Sequence, residues 1–236
     1  IQVKSASAVK TTNDIYPNFN PKAEVIGDNG DFFQATKKFF HHGLKNNGHL
    51  KPNALFEFID NSIDAGADKI DLQWIKNSEN NYQFEIDDNG SGIIPPRLPE
   101  CFRQLGYVNE GASTDTIGNF GVGASTSLLN LMEEGDTAEI TSRSYWNGKP
   151  YIAKLEITMT PEGATGKTSS AEYTGDIKHF TTGVHIIIPN IVTQLRWEHI
   201  LRKCSVVYFP NKMRNNKFQI IINDRDIDFI DPFLFC

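Results

Sequence analysis

Residues 51–67 read KPNALFEFIDNSIDAGA. Pro52 sits where a first helical turn tolerates a missing N–H, apolar residues recur at Leu55, Phe58, Ile59 and Ile63, and Gly66 closes the run. That spacing predicts an amphipathic helix. Its polar residues are as regular as its apolar ones. Glu57, Asn61 and Asp64 fall at i, i+4 and i+7 and share one face. A row of this kind also marks a solvated helix face. A carboxylate and a neutral amide one turn apart have a chemical use as well: the first can orient a water, and the second can ligate a hard cation such as Mg²⁺.

Downstream, DKIDLQWI (68–75) and NYQFEI (81–86) alternate apolar and polar residues on either side of a polar loop, which predicts a β-hairpin. The second strand runs into Asp88-Asn89-Gly90-Ser91-Gly92. A carboxylate at a strand end followed by two glycines lets backbone approach a flat ligand while the carboxylate accepts from an exocyclic amine, although Asp-Asn-Gly is also a common turn. A short helix over RLPECFRQLG (97–106), a polar stretch over 107–123 and a helix over GASTSLLNLMEE (123–134) come next. Strands are expected over 136–146, 150–160 and 183–190, with Asn147-Gly148 as a hairpin turn. A helix over 194–208 and a hairpin over 217–230 complete a mixed α/β layer architecture. Upstream, Phe32, Phe33, Thr36, Phe39 and Phe40 are at helical spacing behind Asp28 or Asn29 as a cap, which predicts one more helix. No repeat or long linker divides the chain, so one domain over 1–236 is expected.

Two glycine-bearing segments bear on anion binding. Gly118-Asn119-Phe120-Gly121-Val122-Gly123 opens a helix, where free N–H groups and the helix dipole favour phosphate. A polar loop rather than a strand precedes it, which excludes a dinucleotide fingerprint. Gly163-Ala164-Thr165-Gly166-Lys167-Thr168 comes close to a P-loop, but Pro161 stands at its first glycine, and a flexible loop between strands is expected there.

Taken jointly and in order, the helix with Glu57 to Asn61, the loop Asp88 to Gly92 and the loop Gly118 to Gly123 resemble the E-x-x-D-N, D-x-G-x-G and G-x-x-G-x-G pattern of the Bergerat-fold (GHKL) ATPases. That family includes gyrase B, heat-shock chaperones, MutL and MORC proteins. The resemblance spans Pro52 to Ile188, and the wording FIDNSIDAGA and IGNFGVG is most similar to the MORC and chaperone side. It implies a two-layer α/β sandwich, with a mixed, largely antiparallel sheet covered on one face by helices. It implies ATP and Mg²⁺ as cofactors, with Glu57 as general base, Asn61 as metal ligand and Asp88 as the acceptor of the adenine amine. Gly90, Gly92 and Ile93 would line the base and ribose, with Asp64 beside the nucleotide. Phosphates would rest on Gly118, Asn119, Phe120, Gly121, Val122 and Gly123, under a lid over 107–117 bearing Ser113 and Thr114.

The presence of Glu57 sets the chain apart from sensor kinases, whose corresponding helix ordinarily carries Asn. Two departures stand out. Val184 occupies a position where many relatives have Thr, leaving Thr182 as the nearest substitute hydroxyl, and no Lys follows Ser113 in the lid. Slow hydrolysis coupled to lid closure and to homodimerisation of a larger protein, of which this is the N-terminal ATP-binding domain, is the function implied. A non-catalytic ATP switch and a phosphotransfer kinase are the alternatives.

Composition narrows the rest. The 236 residues carry 23 Lys+Arg against 29 Asp+Glu, a net charge of -6, which provides no broad basic field for nucleic acid, so any such contact is expected through other domains. There is no run of ~18 apolar residues and no signal-like N-terminus, so a cytoplasmic or nuclear protein without membrane contact is expected. Cys101, Cys204 and Cys236 have no CxxC spacing and are expected to be reduced. His41, His42 and His49 match no standard metal spacing.

Overall fold

The computed structural model describes residues 4–5, 30–33, 51–77, 81–103, 127–128, 130–160, 163–191 and 197–235. Its strands are β1 (Lys4–Ser5), β2 (Gly30–Phe33), β3 (Lys69–Lys76), β4 (Tyr82–Asp88), β5 (Thr137–Trp146), β6 (Lys149–Thr160), β7 (Gly163–Glu172), β8 (Gly183–Ile191), β9 (Gln219–Ile222) and β10 (Arg225–Asp226). Its α-helices with full bounds among the described residues are α1 (Lys51–Asp64), α2 (Leu98–Arg103), α3 (Trp197–Val207) and α4 (Phe209–Arg214), and residues 127–128 and 130–131 are also helical. The strands form one sheet in the order β10-β9-β3-β4-β8-β5-β6-β7-β2, with β1 beside β3. All pairings are antiparallel except β1 with β3 and β3 with β9. The expected mixed, largely antiparallel sheet is therefore present.

Alternation along the strands sorts the two faces. Ile70, Leu72 and Trp74 of β3, Phe84 and Ile86 of β4, Ile186 and Ile188 of β8, Ile140 of β5, and Leu155 and Ile157 of β6 share one apolar layer. Helix α1 inserts Ala54, Leu55, Phe58 and Ile59 into that layer, and α3 adds Ile200 and Cys204. Each fully buried Leu, Ile or Phe contributes on the order of 1.5–3 kcal/mol, so this layer fixes where α1 lies. The opposite face is polar: Lys154 Nζ lies 2.9 Å from Glu139 and 3.0 Å from Glu156, and His185 faces Glu85 at 3.6 Å.

Two expectations change. Gly30–Phe33 pairs as strand β2 with β7, although the phenylalanine spacing suggests a helix there; residues 34–50 lie outside the described residues. Gly163–Glu172 is strand β7 rather than a loop, paired with β6 from Thr160↔Gly163 to Tyr151↔Glu172. In both cases an available neighbouring strand overrides weak local preference, because strand propensity is mainly a matter of partners. The late helix also divides: α3 ends at Val207, and α4 begins after Tyr208 with Pro210 in its first turn.

Candidate functional site

Helix α1 ends in a turn that aims its last residues at the end of β4. Gly66 adopts φ +79°, its N–H donates to the Ile63 carbonyl at 2.9 Å, and the Ala67 N–H donates to the Ser62 carbonyl at 3.0 Å. This is the Schellman arrangement that glycine permits. The loop after β4 is stitched to that turn. The Ser91 N–H donates to the Ala65 carbonyl at 2.9 Å, and the Asn89 Oδ1 accepts from the Asp68 and Lys69 N–H groups at 3.0 and 2.9 Å.

Asp88 stands at the junction, only 7% exposed. Its Oδ1 accepts from the Gly90 N–H at 2.8 Å and the Val184 N–H at 3.2 Å, and its Oδ2 lies 3.0 Å from the Ser62 hydroxyl, whose one proton it shares with the Phe58 carbonyl at 2.9 Å. Burial pushes the Asp88 carboxyl above the usual carboxylate value, while the donors from Gly90, Ser62 and Val184 pull it back. The hydroxyl beside Asp88 is thus that of Ser62, from α1, and the position of Val184 contributes its backbone N–H.

The loop glycines are set by the chain's own packing. A Cβ on Gly90 would lie 2.9 Å from the Ala65 Cβ, and one on Gly92, at φ +70°, would lie 2.1 Å from the Arg143 carbonyl oxygen. Three consecutive residues of β5 hold the loop from the other side. Ser142 Oγ accepts from the Ile93 N–H at 2.7 Å and donates to the Ile93 carbonyl at 2.8 Å, Ser144 Oγ donates to the same carbonyl at 3.1 Å, and Arg143 reaches Asp87 and Asp88.

On α1, Glu57, Asn61 and Asp64 are all half-buried. The Asn61 Nδ2 is buried and has no hydrogen-bond partner among the described residues. An orphaned buried amide N–H₂ is uncommon and calls for an acceptor. Behind this row, Tyr208 donates its hydroxyl to Asp60 Oδ1 at 2.8 Å, and Lys203 Nζ lies 4.0 Å above the Phe56 ring. Burial raises the Asp60 carboxyl, against the hydrogen bond from Tyr208.

The structure therefore brings together α1, with Glu57, Asn61 and Asp64, and the loop carrying Asp88, Gly90, Gly92 and Ile93. Thr182 is half-buried just ahead of β8. Ser113, Thr114, the lid over 107–117 and the loop Gly118 to Gly123, with Asn119, Phe120 and Val122, lie outside the described residues. Ser62, Ser142, Arg143 and Ser144 escape the sequence reading. Only Ser62 has a local signal, one residue after Asn61 on the motif helix. Burial pushes the Cys101 and Cys204 thiols up to about 11 and about 12, which disfavours the reactive thiolate.

Known proteins share part of this sequence and the fold. Over 112 residues the chain is 30% identical to Protein MICRORCHIDIA 4 of Arabidopsis thaliana, covering 46% of this chain and 14% of that protein. Over 138 residues it is 26% identical to one of the subunits of Type 2 DNA topoisomerase 6 from Metallosphaera sedula, covering 55% of this chain and 26% of that protein. The chain thus spans about a quarter or less of the length of these relatives. A solved structure of the ATPase and transducer domains of DNA topoisomerase II from Balamuthia mandrillaris superposes with a TM-score of 0.54 at 11% identity, over 75% of this chain and 48% of that one, which supports the fold. Residues 50–181, more than half of the chain and including both α1 and the Asp88 loop, match the model of the Histidine kinase-, DNA gyrase B-, and HSP90-like ATPase family, to which this chain belongs.

Proposed function

We propose that the chain binds Mg·ATP between α1 and the Asp88 loop and hydrolyses it slowly, as the ATP-binding domain of a larger protein whose dimerisation the nucleotide gates. The observation that carries this reading is the pairing of a buried, pre-oriented carboxylate at Asp88 with an orphaned buried amide at Asn61. Asp88 accepts the adenine amine with the Oδ2 that Ser62 already orients. Three donors hold that carboxylate before ligand arrives, so little reorganisation opposes binding.

The residues present fit a magnesium ion. An amide is a hard, neutral ligand, and Mg²⁺ needs only one or two protein groups when phosphates complete its shell. Asn61 would hold the ion through its Oδ1, leaving the unpaired Nδ2 to donate to a phosphate oxygen, and the ion would neutralise phosphate charge during transfer. Glu57, one turn earlier on the same face, takes a proton from the attacking water, and Asp64 lines the same edge of the cleft. By the family pattern, the phosphates would fall to Gly118 to Gly123, and the segment 107–117, with Ser113 and Thr114, would serve as the lid.

A titration of ADP against the protein at varied Mg²⁺ tests the site. Asn61→Ala should raise the Mg²⁺ needed for half-maximal affinity by roughly tenfold, the loss of one good ligand of about 1.4 kcal/mol. An unchanged Mg²⁺ dependence would remove Asn61 from the metal, and absence of nucleotide binding by the unaltered chain would overturn the reading.

A further inference from the structure

Arg143 is the chief charged group at this site to which no role has been given. Its side chain is only 9% exposed, yet it belongs to the polar face of the sheet, opposite α1. Its Nη2 donates to Asp87 Oδ1 at 2.7 Å and to the backbone carbonyl of Asp88 at 2.8 Å. A buried cation is tolerated only where acceptors meet it, and one of the two chosen here is the peptide of the residue whose side chain faces the nucleotide cleft.

The surroundings are built to admit that contact. Gly183, paired with Arg143 across β5 and β8, has φ +143°, and a Cβ there would lie 1.8 Å from the Asp88 carbonyl oxygen and 2.6 Å from Arg143 Nη2. Any other residue would displace the guanidinium from Asp88. The Arg143 main chain touches the same loop, since its carbonyl occupies the space Gly92 leaves. On either side of it, Ser142 and Ser144 fix Ile93 from the helix-facing side of the sheet. Strand alternation thus puts two hydroxyls on one face and a guanidinium on the other, and all three hold residues 87–93.

We propose that Arg143 is a positioning residue for base recognition: from the far face of the sheet it fixes the Asp88 peptide, and so aims the Asp88 carboxylate at the exocyclic amine of adenine. The inference rests on the reading of Asp88 given above. It differs from a role in stability alone because aim affects one ligand group. Inosine diphosphate lacks the amine and presents a carbonyl to Asp88, so the ratio of inosine diphosphate to ADP dissociation constants reports the aim, whereas general loosening of the fold weakens both nucleotides together.

The experiment is calorimetric titration of ADP and of inosine diphosphate into the unaltered chain, Arg143→Gln, Arg143→Lys and Asp87→Asn, with thermal unfolding of each. The unaltered chain should prefer ADP by at least about tenfold, the worth of one charged hydrogen bond. Arg143→Gln should reduce that preference to within about threefold, and Arg143→Lys, which keeps a cation able to reach one acceptor, should fall between. Asp87→Asn alters a half-exposed side chain and should fold; it loosens the guanidinium and should lower the preference about threefold, which decides the matter if Arg143→Gln does not fold. A preference unchanged in Asp87→Asn and in folded Arg143→Gln overturns the role of Arg143 and leaves the site intact. An unaltered chain that binds neither nucleotide, or binds both equally, overturns the reading of Asp88 and this inference with it.

Discussion

Asp88 shows how one residue is prepared for a ligand. Its folded pKa lies above the ordinary 3.8, chiefly because of burial, so the fold binds a proton there more readily than the unfolded chain does. The charged carboxylate therefore opposes folding, by an amount that grows as pH rises from 3.8 through the raised value and is constant above it. Near neutral pH, Asp88→Asn should keep or slightly raise the melting temperature, yet weaken ADP by roughly ten- to a hundredfold, because an amide N–H₂ would face the adenine amine. In the unaltered chain, ADP affinity should fall as pH drops through the raised pKa, earlier than an ordinary aspartate would allow, and the variant should lose that step. Titration across about pH 4 to 7 checks both; a variant with unchanged affinity would show that the base is read elsewhere. Asp88 and Asn61 are legible in sequence because their motifs are local. Ser62 and Arg143 meet Asp88 from 26 and 55 residues away, and no period in the chain announces such a contact.

Among the elements, α1 and the β3–β4 hairpin are legible because each carries its whole signal within itself, a periodic apolar stripe or an alternation around a turn. Strands β2 and β7 are not: the phenylalanines of β2 continue at helical spacing downstream, and the small and polar residues of β7 read as a loop until β6 and β2 pair with them. The docking of α3 on α1 is likewise invisible in sequence. It matters because α1 carries Glu57 and Asn61, and Tyr208 just past α3 holds Asp60 between them. Tyr208→Phe leaves a half-buried carboxylate without that donor, and the Asp60 carboxyl rises further because the hydrogen bond that lowers it is gone. The variant should lose about 1–3 kcal/mol of stability, read as a lower urea midpoint at unchanged slope. An unchanged midpoint would mean that the apolar packing of Phe56 and Tyr208 alone seats the helix.

For the whole molecule, one sheet brings together motifs that the sequence holds far apart: β4 delivers Asp88, the adjacent β8 and then β5 beyond it brace that residue, and α1 packs on the layer above. Belonging to an ATPase family follows from that assembly and from the match over residues 50–181. Turnover by this chain is the central proposal, and Glu57 is its most exposed point. A general base contributes on the order of 10²- to 10⁴-fold to rate while adding little to ground-state binding. The decisive measurement is phosphate release from ATP by the unaltered chain and by Glu57→Gln, with ATP affinity determined for both. Slow release that falls by about a hundredfold or more in Glu57→Gln, at an affinity within a few fold, is the predicted result. ATP binding without any release by the unaltered chain, or equal release by the variant, would contradict it.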